Sequence, residues 1–350
     1  MDEAKRLVVN IVTWNSRWYL PGLFASLDDQ ETREFTVTVV DNASNDGTPT
    51  WLQEQRPDAV LLRNARNQGF ARAHNQAITL ALSRWEHQDL DRRYVLVANP
   101  DLEFSPGALR ILTAYMEAHP SVGSCGPKLL RAFVNADIDP ETAEATRSDQ
   151  IDSMGLCIFK SRRVVDRGAG EIDRGQYDDA PEVFGLSGAC VLYRASALLA
   201  AKTGEEFFDE DFFAYKEDVD LAWRLRSLGF DAHVVPNAVV WHYRRVPSSQ
   251  DRSWLGALQA RRFRSPFVNF LSTRNHGWTI VKNDRLANLM LHLSWWLPYE
   301  IAKAVAGLFS FSQLKGQATS FIGFPKMIAK RFKLRPAIKT SDVDIRKWFI

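Results

Sequence analysis

Three carboxylates, Glu217, Asp218 and Asp220, stand within four residues of one another. Carboxylates this dense repel each other, which lifts at least one pKa toward the range in which a general base works; the other readings are that they face cations or form a solvated, acidic helix start. Lys216 and Arg224 are near enough in sequence to offset part of that charge. Asp101 stands behind a rigid proline in Asn99-Pro-Asp101, where a carboxylate either holds a divalent cation on a diphosphate or caps the helix expected near Pro106. Asp41 opens the turn-forming run Asp41-Asn-Ala-Ser-Asn-Asp-Gly-Thr48. It can accept from the imide N–H of a uracil or thymine and from ribose hydroxyls, or cap the helix that follows. His242, inside Val239-Val-Trp-His-Tyr243, is either a metal ligand or a structural histidine. Neither GxGxxG after a strand nor GxxxxGK[ST] occurs, so the glycine-rich phosphate cradles of dinucleotide enzymes and P-loop ATPases are excluded.

Positioning these residues requires elements that the hydrophobic pattern supplies. Leu7–Thr13, Phe35–Val40, Val60–Leu62 and Tyr94–Ala98 are short β-branched runs, separated by stretches with helical spacing such as Leu20, Leu23, Phe24 and Leu27, or Ala73, Ala77, Leu80 and Ala81. The alternation predicts an α/β fold with a mostly parallel, doubly wound sheet. In such sheets ligands sit at the carboxyl ends of strands. Three of those ends carry polar residues: Thr13-Trp-Asn15, Asp41-Asn42 and Asn99-Pro-Asp101. Further on, Leu109–His119 reads as a helix, Ala132–Gln150 as an exposed loop or insertion, Gly188–Tyr193 as a strand and Leu221–Leu228 as a helix capped by Gly229. Ala232–Val235 and Ala238–Tyr243 are strand-like runs that close a first domain, with a Pro/Ser-containing linker over Arg244–Arg252.

The 350 residues predict two domains, residues 1–245 and 246–350. Residues 1–245 carry 27 Lys/Arg against 37 Asp/Glu, a net of −10, whereas residues 246–350 carry 17 against 5, a net of +12. The contrast predicts different partners for the two parts. Acidity argues against a nucleic-acid groove in the first, and the Trp-, Phe- and Leu-rich second part suits an anionic membrane surface better than a base-reading site. Leu286–Phe311 is interrupted by His292, Pro298, Glu300 and Lys303 and so predicts an interfacial rather than a spanning helix. The cluster Lys326, Lys330, Arg331, Lys333 and Arg335 is expected to face anionic headgroups, at about 1 kcal/mol per residue; the alternative is helices packed on the first domain or forming a homodimer interface. Cys125, Cys157 and Cys190 lack CxxC spacing, so neither a disulfide framework nor a zinc knuckle is expected. No apolar leader precedes Leu7, and the expected place is the cytoplasm.

Residues 6–245 resemble the inverting glycosyltransferase family 2, with its GT-A fold. The resemblance rests on six stretches in order: Val12–Asn15, Val39–Thr48, Asn64–Asn75, Asn99–Asp101, Gly188–Arg194 and Phe208–Arg224. Asn-Pro-Asp in place of Asp-x-Asp, with the Asn67-Gln-Gly-Phe-Ala71 segment, looks most like the bacterial rhamnosyltransferase branch. The resemblance implies that Thr13, Asn15 and Asp41 hold the nucleotide, that Asn67, Gly69 and Phe70 shape the base and ribose pocket, and that Asn99, Asp101 and Gly188 face the sugar diphosphate. Asp101 and His242 match metal-binding positions for Mg²⁺ or Mn²⁺. Asp218 matches the catalytic base, with Glu217 beside it.

The resemblance further implies dTDP-rhamnose as donor and a polyprenyl-diphosphate-linked or other oligosaccharide acceptor, used in cell-surface polysaccharide synthesis. The enzyme would then act peripherally on the inner face of the cell membrane. Two other readings remain at this point: the same fold and mechanism with a UDP-hexose or galactofuranose donor, and a silent scaffold that only binds sugar nucleotides.

Overall fold

The computed structural model describes residues 5–133, 146–243 and 264–350. The first half follows the sequence pattern: β1 (Leu7–Thr13), α1 (Leu20–Asp28), β2 (Phe35–Asp41), α2 (Thr48–Gln55), β3 (Val60–Arg63), α3 (Gly69–Arg84) and β4 (Tyr94–Ala98). β1 pairs in parallel with β2 and β4, and β2 with β3. Strands covered on both faces become continuous apolar runs, and every residue of β4 is buried. Successive side chains alternate between faces. Val9, Ile11, Val39 and Leu96 therefore pack with α1 and α4 residues on one side, while Val8, Val95 and Val97 pack with Ile78, Leu221 and Leu225 on the other.

The chain continues through β5 (Leu102–Phe104), α4 (Ala108–Ala118), β6 (Val122–Phe133), β7 (Thr146–Ser153), a small antiparallel pair β8 (Leu156–Ile158) and β9 (Val164–Asp166), then β10 (Cys190–Arg194), α5 (Ala195–Ala201), α6 (Glu217–Ser227) and β11 (Asp231–His242). Strand order in the nine-stranded sheet is β3-β2-β1-β4-β10-β6-β11-β5, with β7 on β6. β10 is antiparallel to both β4 and β6, and β5 is antiparallel to β11. The sheet is thus mixed and mostly parallel, the GT-A arrangement.

Three elements differ from the sequence expectation. Within Ala132–Gln150, read as a loop, β6 extends to Phe133 and β7 begins at Thr146; residues 134–145 lie outside the described residues. The two runs 232–235 and 238–243 are one strand, β11, whose register against β6 shifts between Val235 and Val239. Pro236 falls in that irregularity, where a missing N–H costs no ladder bond. α6 starts at Glu217 rather than Leu221, so all three carboxylates belong to its first turn, where the helix dipole favours negative charge. The expected boundary near residue 246 lies outside the described residues.

The C-terminal part forms α7 (Pro266–Asn283), α8 (Leu286–Leu291), α9 (Leu293–Leu308), α10 (Phe311–Leu334) and α11 (Asp342–Arg346). No helix among the described residues is long and apolar enough to cross a membrane. α7 and α10 pack closely because Gly277 lies against the Ser320 hydroxyl with no room for a Cβ. The basic cluster is met in part by the first half of the chain. Lys330 pairs with Asp209 and, at 2.8 Å, with Asp211; Lys326 reaches Asp211 at 2.6 Å; Arg331 donates to Val281 O. Lys326, Lys333 and Arg335 are exposed, whereas Lys330 and Arg331 are half-buried. Opposite charge drives this: Lys282, Lys326 and Lys330 of the second part pair with Asp209, Asp211 and Asp220 of the first. The three cysteines are free, in line with the sequence.

Candidate active site

At the carboxyl ends of β1 and β2, Asp41 is buried and its carboxylate ties two turns together. It accepts from Thr13 Oγ1 at 2.9 Å, Ser44 Oγ at 2.6 Å and Ser44 N–H at 3.0 Å. A carboxylate offers about four acceptor sites, so one remains. Asn15, at φ 51°, donates its N–H to Ser44 Oγ and accepts from Asn45 N–H through Oδ1. Asp41 thus does not cap α2; that helix has no side-chain cap. Asn42 links this corner to α3: its amide donates to Gly69 O at 3.1 Å and its oxygen accepts from Asn64 and Gln68.

The N-terminus of α3 carries the next expected residues. Asn67 Oδ1 accepts from Gly69 N–H at 2.8 Å, forming the turn that launches the helix. Gly69 is at φ +82°, and a Cβ there would lie 2.5 Å from Phe213 O, so this position needs glycine on two counts. Asn67 also lines an open cleft of about 450 Å³ with Arg66, Arg72, Glu210 and Phe213. Phe70 packs at a tilt against His74 and edge-to-face with Phe208, and its ring tip reaches the neighbourhood of Gly188.

The segment before α6 is strained. Phe213, Tyr215 and Lys216 all have positive φ, at 65°, 68° and 74°, a backbone state that side chains disfavour and that surrounding contacts must hold. It delivers Glu217 and Asp218 to the sheet. Asp218 Oδ2 accepts from Gly188 N–H at 3.0 Å, and the next residue, Ala189, accepts from Asn99 N–H at 2.8 Å. Asn99, Gly188 and Asp218 therefore converge. Glu217 is buried, with Oε2 lacking a hydrogen-bond partner; burial, reinforced by Asp218, pushes its carboxyl well above the ordinary range. Asp220 serves structure, accepting from Arg224, Lys282 and Asn283.

Asp101 and His242 meet where β5 pairs with the end of β11. His242 Nε2 is 3.4 Å from Asp101 Oδ1, and its Nδ1 is 2.8 Å from Asp152 Oδ2 on β7. Burial depresses the imidazolium, but Asp101 and Asp152 outweigh it and push the pKa up to about 10.

A family model described as glycosyl transferase family 2 matches residues 8–199, more than half of the chain. The chain belongs to glycosyltransferase family 2. It is 31% identical over 283 residues to the N-acetylglucosaminyl-diphospho-decaprenol L-rhamnosyltransferase of Mycobacterium tuberculosis, covering 78% of this chain and 86% of the relative. Among solved structures it is similar to S. aureus TarS 1–349 (17% identity, TM-score 0.52, 98% and 89% of the two chains), and it spans 54% of the longer TarS chain. It is also similar to GalNAc-T7 crystallised with UDP, GalNAc and Mn²⁺ (13% identity, TM-score 0.56, 95% and 58% of the two chains). At these identities the structures show the fold alone.

The family 2 match ends before Glu217, Asp218 and His242, so their placement rests on the geometry above. For the metal of this fold class, no group of three or more His, Cys, Asp or Glu suited to an ion is assembled among the described residues. The pair Asp101 and His242 nevertheless fits one, provided the cation displaces the Nε2 proton that the two carboxylates otherwise hold on the ring. Asp101 Oδ1 is buried without a hydrogen-bond partner and faces Nε2, while Asp152 fixes the other ring nitrogen. Mg²⁺ is commonly held by one or two protein groups, substrate phosphates and water, and an acceptor on Nδ1–H is the usual support of a ligating histidine. Sequence reasoning missed Asp152 and Ser44, and gave Asn42 only as a polar strand end. Asn42 and Ser44 lay in a recognised turn run; Asp152 had no local signal, because only the β6–β7 pairing brings it to His242.

Proposed function

We propose that this glycosyltransferase moves L-rhamnose from dTDP-rhamnose to a hydroxyl of a polyprenyl-diphosphate-linked saccharide, with inversion at the anomeric carbon, in cell-surface polysaccharide synthesis. The observation that carries the chemistry is the convergence of Asp218 with Gly188 and Asn99 at the strand ends. The donor and acceptor classes follow the activity named for the mycobacterial relative.

Thr13, Asn15 and the remaining acceptor site of Asp41 receive the base and ribose. Asn67, Gly69 and Phe70 wall the pocket, and Asn99, Asp101 and Gly188 face the diphosphate. Mg²⁺ or Mn²⁺ held by Asp101 and His242 supplies Lewis-acid stabilisation of the departing diphosphate. Asp218 takes the acceptor hydroxyl proton as the new bond forms at the anomeric carbon and the bond to the diphosphate breaks on the opposite face, help worth about 10²- to 10⁴-fold. Glu217, its carboxyl pushed well above the ordinary range by burial and by Asp218, stands beside Asp218 in the first turn of α6.

For location we propose the bilayer that carries the acceptor, on its cytoplasmic face. Between Leu286 and Phe311 the exposed side chains include Met290, Trp295, Ile301, Phe309 and Phe311. Glu300 and Lys303 pair with each other, Glu300 also binds His276, and Lys303 is buried. An uncharged outer face with tryptophan suits a membrane interface.

A donor panel tests the proposal: dTDP-rhamnose, UDP-glucose, UDP-galactose and UDP-N-acetylglucosamine, each with Mn²⁺ or Mg²⁺, following nucleotide diphosphate release with and without a lipid-diphosphate-linked GlcNAc acceptor. Turnover with dTDP-rhamnose that rises with the acceptor is expected. Preference for a UDP-sugar overturns the donor assignment, and silence with every donor overturns the enzymatic reading.

A further inference from the structure

The strained segment 211–216 is held from the C-terminal part of the chain. Asn275, in the middle of α7, is wholly buried. Its amide nitrogen lies 2.9 Å from Phe212 O, 2.9 Å from Ala214 O and 2.7 Å from Tyr215 O, so its two hydrogens serve three carbonyls. The amide itself is fixed: Oδ1 accepts from Arg274 Nε at 2.9 Å. Arg274, lying over the Trp278 ring, donates to Asp211 O and Phe212 O. Two turns further along α7, Lys282 and Asn283 grip Asp220 in the first turn of α6. From the other side the segment presses on α3, where Phe213 O accepts from Ala71 N–H. Glu217 and Asp218 follow directly.

Three positive-φ side-chain residues do not hold themselves in that state, and the inward-turned carbonyls of the segment need donors. Asn275 provides them for Phe212, Ala214 and Tyr215.

From this contact we infer that Asn275 is a positioning residue for Asp218, so that α7 is a working part of the catalytic apparatus and not only a docking or packing element. The inference rests on the proposed role of Asp218 as base. Removing the amide lets Phe212–Tyr215 relax and moves the start of α6 relative to Gly188. A displacement of about 1 Å at a reacting group costs on the order of 10²-fold in rate. Donor contacts made by β1 and β2 do not pass through Asn275, so the loss falls mainly on kcat, with the smaller change in donor KM arising where α3 meets the segment at Phe213.

The test compares Asn275→Ala with Asn288→Ala in the full chain. Asn288 is an equally buried asparagine of the same helical part, and its amide donates to Asp342 O, remote from the segment, which makes it the control for stability loss. With Mn²⁺ and whichever donor of the panel the wild type turns over, Asn275→Ala is expected to lower kcat about 30- to 100-fold with donor KM changed less than about threefold. Asn288→Ala is expected to keep kcat at comparable loss of thermal stability. Hydrogen–deuterium exchange of peptides covering 211–220 gives a readout independent of turnover: exchange is expected to rise there in Asn275→Ala and not in Asn288→Ala. Equal kcat in the two variants, or unchanged exchange over 211–220, overturns the inference. If the wild type turns over no donor, the proposed function fails, while the exchange arm still decides whether Asn275 holds the segment.

Discussion

Replacing Lys282 with methionine removes the cation on which two buried carboxylates depend. Its ammonium lies 2.7 Å from Asp209 and 2.8 Å from Asp220, and all three side chains are almost fully buried. Burial acts to raise the Asp209 carboxyl, but Lys282 and Lys330 outweigh it and hold the group below the usual carboxylate range. Breaking a buried pair by deleting one partner costs about 3–5 kcal/mol, because the surviving charge is left in a medium that solvates it poorly. Here Asp209 keeps Lys330, and Asp220 keeps Arg224 and Asn283, which places the cost near the lower end, about 3 kcal/mol. With an unfolding entropy of roughly 2.1 cal/mol/K per residue over 350 residues, that corresponds to a melting temperature lower by about 4 °C. Calorimetry and urea titration followed by tryptophan fluorescence measure it. A shift below about 1 °C, or a melt in which the C-terminal helices unfold separately at an unchanged temperature, would refute the argument that these ion pairs weld the two parts together.

Asp152→Asn keeps an acceptor near His242 but removes the charge, and should weaken Mn²⁺ binding in the presence of dTDP about 10-fold; an unchanged Mn²⁺ titration by electron paramagnetic resonance counts against the metal assignment. His74 is fully buried with neither ring nitrogen hydrogen-bonded, and burial lowers its pKa to about 3. The unfolded chain then binds the proton more readily, so stability is complete above about pH 6.5 and falls as the pH drops toward 3, by about 3 kcal/mol at pH 4.5. His74→Leu should flatten that part of the pH dependence, and identical slopes for variant and wild type would show the reasoning wrong. Because Lys326 and Lys330 are spent on Asp209 and Asp211, flotation with phosphatidylcholine vesicles should persist in about 0.5 M salt, where charge interactions beyond a few ångströms are screened. Binding that requires anionic lipid and is released by salt, or a salt-stable dimer without vesicle binding, would contradict the apolar docking face.

Much of the sheet was legible because its signals are local. β1 through β4 are continuous apolar runs broken by helical spacing, and the polar strand ends Thr13, Asp41 and Asp101 mark the site through a general property of open α/β sheets. The first-turn carboxylates were also legible as a cluster, although not as three different things. Asp218 faces Gly188, Glu217 is buried, and Asp220 is neutralised from a helix more than 60 residues away. That division depends on tertiary contacts. The same holds for Asp152, which lies in a polar stretch with no pattern of its own, and for Lys282 and Asn275, polar residues whose burial only the packing of α7 reveals. Net charge did not show that part of the basic cluster is met within the chain, because composition records an imbalance and not its partner; here Lys326 and Lys330 pair with Asp209 and Asp211.

Asp218→Asn tests the central claim most directly. Using the donor and acceptor that the wild type accepts, the account predicts kcat lower by about 10²- to 10⁴-fold, donor KM within about threefold of wild type, and an inverted anomeric configuration in the wild-type product by NMR. A variant that keeps kcat within about threefold, or a wild-type product with retained configuration, would contradict it.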